Sequence, residues 1–195
     1  TVLKTTLSAG AGYWLGTSTL PLFGQSPNEK LNVAVIGLGG QGRGNLNAAA
    51  KQNVVAVCDV DDQRAGDAYE RFPRARKFTD YRRMFDQLAP QIDAVVVSTP
   101  DHTHFHPSLS ALQLGKHLYC EKPLVQSVWE GRTLSRIAAE KGVATQLGAQ
   151  RHAMTNMHRV VELIQGGAIG QVRECHCWVG GERGMPAMPK DFPAV

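Results

Sequence analysis

Short hydrophobic runs alternate with longer amphipathic stretches along most of the chain. Runs rich in β-branched residues, such as 31–36, 54–57 and 93–97, have the length and composition of buried parallel strands. Stretches such as 43–51 and 127–141 are instead typical of helices. This alternation predicts an α/β fold with a doubly wound parallel sheet.

The same pattern predicts the elements of the sheet individually. The predicted strands are 31–36, 54–57, 77–79, 93–97, 117–120 and 143–147, and the predicted helices are 43–51, 81–88, 105–114 and 127–141. Gly115 and Gly142 follow two of these helices, at a position where glycine commonly ends a helix. Ligands of such sheets bind beyond the carboxyl ends of the strands, so the residues that follow each strand are the candidates for chemistry.

A glycine-rich sequence, Gly-Leu-Gly-Gly-Gln-Gly, joins the first predicted strand to the first predicted helix. This order is typical of the loop that binds the pyrophosphate of a dinucleotide. Gly37 would allow the tight turn out of the strand, Gly39 would let the backbone approach the pyrophosphate, and Gly42 would let the helix pack on the strand. Gly40 and Gln41, in the same loop, are also expected to contact the cofactor.

An acidic residue follows the second predicted strand. Asp59 lies 22 positions after Gly37, close to the roughly 20 expected for a carboxylate that binds the ribose hydroxyls. Such a carboxylate repels a 2′-phosphate and favours NAD, although Arg43 and Arg64 could bind a phosphate and leave NADP possible. The alternative is that Asp59 caps the helix that begins near Asp61.

Composition agrees with a globular protein. The chain of 195 residues is 43% hydrophobic and 19% charged, with a formal net charge of +4, so disorder is not expected. The densest basic stretch, 71–83, is expected to be a solvated surface without the interleaved aromatic side chains of a nucleic-acid site. We therefore expect no nucleic-acid partner.

The four cysteines do not have the spacing of a disulfide framework. Cys58 and Cys120 fall at the ends of predicted strands, where small buried thiols are common. Cys175 and Cys177 flank His176 in a predicted strand, 171–179, so the histidine should point to the opposite face. This arrangement does not indicate a metal site.

Three histidines, His102, His104 and His106, alternate ahead of a predicted helix. They could be taken for a metal cluster, but the simpler interpretation is that His104 caps that helix. We expect no metal ion in this protein.

The first thirty residues differ from the rest of the chain. No charged residue occurs from Thr5 to Asn28, and the segment is too weakly apolar and too broken to predict stable membrane insertion. Together with Thr1-Val-Leu-Lys4, it is similar to the end of a twin-arginine secretion signal, which predicts export to the periplasm. The alternative is a flexible arm, in which case the protein would be cytoplasmic.

Neither end of the sequence is typical of a natural terminus. The chain starts with Thr1 instead of Met, and its last ten residues contain three prolines. We therefore expect a piece of a longer protein with three parts: an export segment at 1–30, a dinucleotide-binding domain at 31–150, and the truncated start of an α+β domain at 151–195.

The motifs at the strand ends resemble one family, the glucose–fructose oxidoreductase, inositol dehydrogenase and rhizopine catabolism (Gfo/Idh/MocA) group. The resemblance is carried by 33–42, by Val-Val-Val-Ser-Thr-Pro-Asp-His-Thr-His at 95–104, by Gly-Lys-His-Leu-Tyr-Cys-Glu-Lys-Pro-Leu at 115–124, and by 160–170. It covers about residues 31–180, and its Glu-Lys-Pro segment is far more specific than the glycine loop.

This resemblance implies an NAD(P)-linked oxidoreductase that acts on a sugar, a cyclitol or a related polyol. It implies that Thr99, Pro100 and His102 line the nicotinamide side of the cofactor cleft and that Glu121 contacts the cofactor. Arg151 is a further candidate for a cofactor or substrate contact, with a plain charge at a helix entry as the alternative.

The resemblance places Lys122 between the nicotinamide and the substrate hydroxyl as the catalytic residue. Removing a hydride from an alcohol carbon requires the hydroxyl proton to leave. A cationic nicotinamide would disfavour the protonated form of Lys122, which could then polarise the oxygen or pass the proton to a histidine. The alternative is that Lys122 is a surface lysine.

Members of the family usually supply that histidine in an Asp-x-x-x-His pair from the second domain. No such pair follows Arg151, so this piece should bind a dinucleotide without turnover. Three functions remain open: a dehydrogenase, a glycoside hydrolase that oxidises its substrate transiently, and a non-catalytic dinucleotide-binding protein. The second domain is expected to form homo-oligomers through the open face of its sheet.

Overall fold

A computed structural model describes residues Lys30 to Trp178. These residues belong to two compact units, and the division falls between Ala149 and Gln150. The predicted export segment up to Glu29 and the proline-rich end lie outside the described residues. Of the helices that the structure describes, none has the length and apolar character needed to cross a bilayer.

The first unit is a parallel six-stranded sheet in the order β3-β2-β1-β4-β5-β6. The strands are β1 (Asn32–Ile36), β2 (Asn53–Cys58), β3 (Arg76–Phe78), β4 (Ala94–Val97), β5 (His117–Glu121) and β6 (Thr145–Gly148). The helices of this unit are α1 (Gln41–Ala49), α2 (Asp62–Arg71), α3 (Tyr81–Leu88), α4 (Phe105–Gln113) and α5 (Val128–Lys141). This is the doubly wound arrangement of dinucleotide-binding domains, and it confirms the predicted fold class.

Alternate residues of the central strands supply two separate cores. On one face, Val35 and Val57 pack with Leu46 of α1 and with the alanines of α2. On the other face, Ile36 and Val95 pack with side chains of α3, α4 and α5. Because both faces are covered, these strands are hydrophobic throughout, which is why the sequence pattern predicts them well.

The strand register brings the carboxyl ends of the strands together at one edge. Ile36 of β1 pairs with Cys58 of β2 and with Val97 of β4. Farther along the sheet, Glu121 of β5 pairs with Gly148 of β6. The residues that follow these strands are therefore neighbours in space, as the candidate site requires.

The hydrophobic pattern does not predict α2, which lies between β2 and β3. This helix is strongly polar and buries only the small residues Ala65 and Ala68, so it has no apolar stripe for the pattern to show. Its start depends on Asp61, whose carboxylate accepts hydrogen bonds from the amides of Gln63 (3.0 Å) and Arg64 (3.2 Å). The start of this helix is therefore determined by the cap at Asp61 and not by a hydrophobic stripe.

Two devices fix the ends of α5. The hydroxyl of Ser127 accepts from the amide of Glu130 at 3.3 Å, and the Glu130 carboxylate accepts from the amide of Ser127 at 3.0 Å. This reciprocal capping starts the helix soon after β5. At the other end, Gly142 has φ +63°, and the amide of Val143 donates to the carbonyl of Ala138. Because Val143 is still part of the helix end, β6 begins at Thr145, two residues later than predicted.

The basic stretch 71–83 does contain interleaved aromatic side chains, contrary to the expectation from the sequence. Four cations lie over four rings in or beside it: Arg71 over Phe72, Arg76 over Phe78, Lys77 over Tyr69, and Arg82 over Tyr81. The ring-to-cation distances range from 4.8 Å to 5.9 Å. Each ring already has a cation over one face, so these pairs stabilise the surface locally.

The second unit, as far as it is described, contains a short turn at Gln150–Ala153 and helix α6 (Thr155–Gln165). The predicted strand at 171–179 is not formed over residues 171–178. A strand requires a hydrogen-bonded neighbour, and none of the described residues pairs with this segment.

A substitution at Gly42 should destabilise the first unit. A Cβ atom at this position would lie 2.2 Å from the carbonyl oxygen of Gly37, so α1 would have to move away from β1. We expect Gly42→Ala to lower the free energy of unfolding by roughly 1–3 kcal/mol or more, as other overpacked sites do.

The matched control is Gly44→Ala in the same helix, where the nearest atom to a new Cβ is 3.7 Å away. It should raise stability by up to about 1 kcal/mol through helix propensity. Chemical denaturation monitored by circular dichroism measures both changes. Equal stabilities for the two variants would contradict the close approach of α1 and β1.

Candidate cofactor site

The loop between β1 and α1 lies directly against the end of β4. Gly37 has φ +86°, and a Cβ atom on it would lie 2.5 Å from the carbonyl carbon and oxygen of Ser98. A Cβ atom on Gly42 would clash with Gly37 itself. Both glycines are therefore required by the packing of the loop, whether or not a ligand is present.

Gly39 is in a different situation. The nearest atoms to a Cβ atom there belong to the Arg64 side chain, with Cδ at 3.3 Å and Cβ at 3.4 Å, so a side chain at this position would require a shift of a few tenths of an ångström and would not strike backbone. Gly40, with φ +53° and ψ −121°, precedes α1 and has no atom of the described chain within 4 Å of a Cβ position. The loop thus leaves open space at the start of α1, where backbone amides and the helix dipole favour an anion.

Asp59 closes this loop from the side of β2. One carboxylate oxygen accepts from the amide of Leu38 at 2.7 Å, and the other accepts from the amide of Asp61 at 3.0 Å. The alternative that Asp59 caps α2 is wrong, because Asp61 fills that position. An ionised carboxylate has about four acceptor sites, so Asp59 keeps capacity for hydroxyl donors beside the loop.

The two arginines near this carboxylate form surface ion pairs. Arg43 lies 3.0 Å from Asp67, and Arg64 lies 3.4 Å from Asp61. Ion pairs as exposed as these contribute little to stability. Either guanidinium could therefore turn to a phosphate at low cost.

A polar network joins α1 to the ends of β4 and β5. The side-chain amide nitrogen of Asn45 donates to the hydroxyl of Ser98 and to a carboxylate oxygen of Glu121, both at 2.8 Å. Gln41, one helical turn before Asn45, donates to the Asn45 amide oxygen at 3.5 Å. Sequence analysis missed Asn45, and its only signal is the four-residue spacing from Gln41.

Glu121 is the buried centre of this network. Its side chain is 5% exposed and also accepts from the hydroxyl of Tyr119 at 3.3 Å. A Cβ atom on Gly148 would lie 2.7 Å from the Glu121 carboxylate, so the glycine at the end of β6 makes room for it. The observed contacts of Glu121 join α1 to the ends of β5 and β6, and its predicted contact with the cofactor stays a prediction.

His104 connects the ends of β4 and β5 a second time. Its ring is 1% exposed, with Nδ1 2.6 Å from the carbonyl oxygen of Pro123 and Nε2 2.7 Å from the carbonyl oxygen of Thr99. His104 stands at the N-cap position of α4, as expected, but its side chain makes no capping hydrogen bond to the helix. His102 is exposed in the adjoining turn, and His106 is exposed against Phe105.

The remaining predicted residues of the cleft lie at the same edge. Lys122 is exposed and follows β5, joined to Pro123 by a cis peptide bond. Pro100 is exposed, and its carbonyl accepts from the amide and hydroxyl of Thr103, both at 2.9 Å. The hydroxyl oxygen of Thr99 is buried and has no hydrogen-bond partner among the described residues, so no protein group uses its hydrogen-bonding capacity.

Arg151 belongs to the second unit, in the turn Gln150–Ala153, where it is exposed. Its predicted contact with cofactor or substrate stays a prediction.

Two buried thiols lie beneath the site. Burial raises the pKa of Cys58 to about 12 and that of Cys120 to about 11. Because the thiolate is the reactive form, both cysteines are inert packing groups at neutral pH. Over residues 30–178, no group of three or more His, Cys, Asp or Glu side chains is arranged to hold a metal ion.

Comparisons with known proteins agree with this geometry. Residues 31–149 match the model of GFO_IDH_MocA, the oxidoreductase family with an NAD-binding Rossmann fold. The chain is similar to inositol 2-dehydrogenase of Rhodococcus jostii (strain RHA1), with 31% identity over 173 residues, which are 86% of this chain and 45% of that protein. Inositol 2-dehydrogenase of Rubrobacter xylanophilus is 34% identical over 149 residues, covering 73% of this chain and 42% of the relative.

Solved structures give the same result. GenD2 from gentamicin A biosynthesis, in complex with NAD, aligns with a TM-score of 0.63 and 30% identity over 69% of this chain and 39% of its own. Myo-inositol 2-dehydrogenase from Lactobacillus plantarum aligns with a TM-score of 0.65 and 25% identity over 74% of this chain and 43% of its own. The chain spans less than half the length of each of these relatives.

Removing the side chain of Asn45 should destabilise the protein. Asn45→Ala deletes two hydrogen bonds, one of which is to the buried carboxylate of Glu121. We expect a loss of roughly 2–4 kcal/mol, since a buried charge is left with fewer donors.

Asn47→Ala is the matched control, because Asn47 lies on the exposed side of the same helix and bonds only to the surface residue Arg71. Its effect should stay within about 0.5 kcal/mol. Urea denaturation of both variants gives the two values. A cost at Asn45 no larger than that at Asn47 would show that the network contributes nothing.

Proposed function

The chain belongs to the Gfo/Idh/MocA family of oxidoreductases, and we propose that its first unit holds a nicotinamide dinucleotide for the reversible oxidation of a sugar, cyclitol or related polyol. One observation carries this proposal: beside the α1 start and the Asp59 carboxylate, a Cβ atom on Gly39 would meet the side chain of Arg64 and not the backbone that forbids a side chain at Gly37 and Gly42. The protein's own packing explains glycine less completely here than at those two positions, whereas a diphosphate lying against bare backbone requires it.

The residues around this space fit the parts of such a cofactor. The start of α1 would receive the diphosphate. Asp59, which keeps acceptor capacity beside its bond to Leu38, would bind the ribose hydroxyls and favour NAD. Arg43 and Arg64 remain exposed, so NADP is the second choice. The unpartnered hydroxyl of Thr99 is suited to a polar group farther along the cleft.

Lys122 is the proposed catalytic residue. When bound, the nicotinamide accepts or donates the hydride. Lys122 would bind the substrate hydroxyl and accept its proton, or pass it on, as that hydroxyl becomes a carbonyl. Its exposed position after β5 leaves the side-chain nitrogen free to reach a substrate above the sheet edge, and it is the neutral amine that would accept the proton. Glu121, held by Asn45, fixes the backbone from which Lys122 projects.

The substrate class rests on the relatives, among them inositol 2-dehydrogenases. We propose that residues beyond this chain complete the site with an Asp-x-x-x-His pair and form the homo-oligomer. We further propose that the protein is exported to the periplasm by the twin-arginine route. Detection of the folded protein in a periplasmic fraction, lost when the natural leader's arginine pair is replaced by lysines, would support this location.

Incubation of the complete natural protein with NAD and myo-inositol, or with other polyols, tests the activity. Accumulation of free NADH supports the dehydrogenase. Cleavage of a glycoside without net NADH would indicate the transient oxidation of a hydrolase instead. Tight binding of NAD with neither reaction, across a panel of sugars, would indicate a protein that only binds the dinucleotide.

Gly39→Ala should separate cofactor binding from stability. The added methyl group presses on the stem of the Arg64 side chain at 3.3–3.4 Å, and it occupies the space proposed for the diphosphate. We expect NAD affinity, measured by isothermal titration calorimetry, to fall by about tenfold or more, which corresponds to about 1.4 kcal/mol. The melting temperature without ligand should fall far less than in Gly42→Ala, where the new Cβ strikes backbone.

Gly66→Ala on α2 is its control, since a Cβ atom there meets no atom within 4 Å. It should leave NAD affinity unchanged. If Gly39→Ala binds NAD as tightly as Gly66→Ala does, the proposed position of the diphosphate is wrong.

Lys122→Met should abolish turnover while leaving cofactor binding intact. The substitution keeps the length of the side chain and removes its proton-transferring group, so kcat should fall by about 10²–10⁴-fold. NAD affinity should change by no more than a few-fold. Lys141→Met, at the end of α5, removes an equivalent exposed charge and should retain full activity. Loss of activity in both variants, or in neither, would contradict the assigned role.

A further inference from the structure

We propose that His104 is a positioning residue whose buried ring ties the end of β4 to the Lys122–Pro123 segment. This tie sets the distance across the cleft between Thr99 and Lys122. Its consequence for the reaction rests on the proposed function, whereas the tie itself is a property of the protein without ligand.

The geometry of the ring excludes an incidental contact. Both ring nitrogens lie at short hydrogen-bond distance from a backbone carbonyl: 2.6 Å to Pro123 and 2.7 Å to Thr99. The ring is 1% exposed, so water cannot readily replace either contact. The two carbonyls belong to segments that follow different strands, and the ring is the bridge between them.

The direction of the hydrogen bonding follows from the partners. A carbonyl oxygen can only accept a hydrogen bond, and every form of the imidazole ring has at least one N–H group. The ring therefore donates to at least one of the two carbonyls and fills the space between them.

The tie extends a chain of close contacts that begins at the glycine loop. Gly37 packs against the backbone of Ser98 and Thr99. The carbonyl of Thr99 then bonds to His104, and His104 bonds to the carbonyl of Pro123. Lys122 is the next residue along the backbone. The position of the proposed catalytic lysine relative to the pyrophosphate loop is therefore transmitted through His104.

The neighbouring histidines cannot do this work. His102 and His106 are both exposed, and the ring of His106 lies against Phe105 at 5.5 Å between centroids. His106 is therefore a matched control, because it has the same chemistry, lies two residues away and lacks the two carbonyl partners.

Nitrogen-15 NMR of the histidine rings tests the tie in the ligand-free protein. We expect the His104 signals, assigned by their loss in His104→Gln, to show a ring N–H hydrogen that exchanges with water more slowly than those of the exposed histidines. A His104 ring hydrogen that exchanges as fast as that of His106 would overturn the proposal.

Variants test the consequence for the cleft. His104→Phe keeps the flat ring but removes both ring nitrogens, and we expect kcat to fall by about tenfold or more, with a smaller change in NAD affinity, because the lysine is misplaced. His104→Gln can donate from its amide group to a carbonyl and should restore part of kcat. His106→Phe should behave as the parent protein does.

The outcomes separate this inference from the proposed function. If the parent protein binds no dinucleotide, the proposed function fails, while the NMR result still decides whether the tie exists. If His104→Phe does not fold, His104→Gln supplies the kinetic comparison. Full kcat in a folded His104→Gln or His104→Phe variant would overturn the positioning role.

Discussion

The close approach of two backbones at the sheet edge is the constraint on which the rest of the site depends. The turn after β1 contacts the chain after β4 so closely that a Cβ atom on Gly37 would lie 2.5 Å from Ser98. Because α1 starts from this turn, the same contact determines where the helix N-terminus points. The direction of α1 in turn places Asn45 within reach of both Ser98 and Glu121.

Hydrophobic burial alone would not fix the positions of the strand ends at the carboxyl edge of the sheet. The two cores fix the sheet and helices as layers, but hydrophobic contacts are non-directional. The ends of β4 and β5 are held by directional polar contacts: Asn45 to Ser98 and Glu121 on one side, and His104 to two carbonyls on the other. Both sets are substantially shielded from water, so each unsatisfied member would be costly. The cleft is therefore defined by a few polar side chains on an apolar scaffold.

The sequence predicts the parts of this fold whose signal is local. Buried strands are continuous apolar runs, and the glycine loop and Asp59 have a fixed spacing along the chain. Asn45 and His104 could not be found in this way, because their partners lie up to 76 residues away and nothing in the local pattern separates them from other asparagines or histidines. The helix α2 was missed since its burial depends on two alanines. The strand expected at 171–179 failed for a related reason, because strand formation depends on a partner elsewhere.

Residues that the fold requires must be distinguished from residues that a ligand would require. Gly37 and Gly42 belong to the first group, since a side chain at either would strike backbone; their presence is explained by packing alone. Asp59 belongs to both groups, because it holds the amide of Leu38 and keeps acceptor capacity for hydroxyls. At Gly39 a Cβ atom would press on the Arg64 side chain and not on backbone, so packing explains this glycine less completely than it explains Gly37 and Gly42. Gly39 is therefore the strongest structural argument for a bound diphosphate.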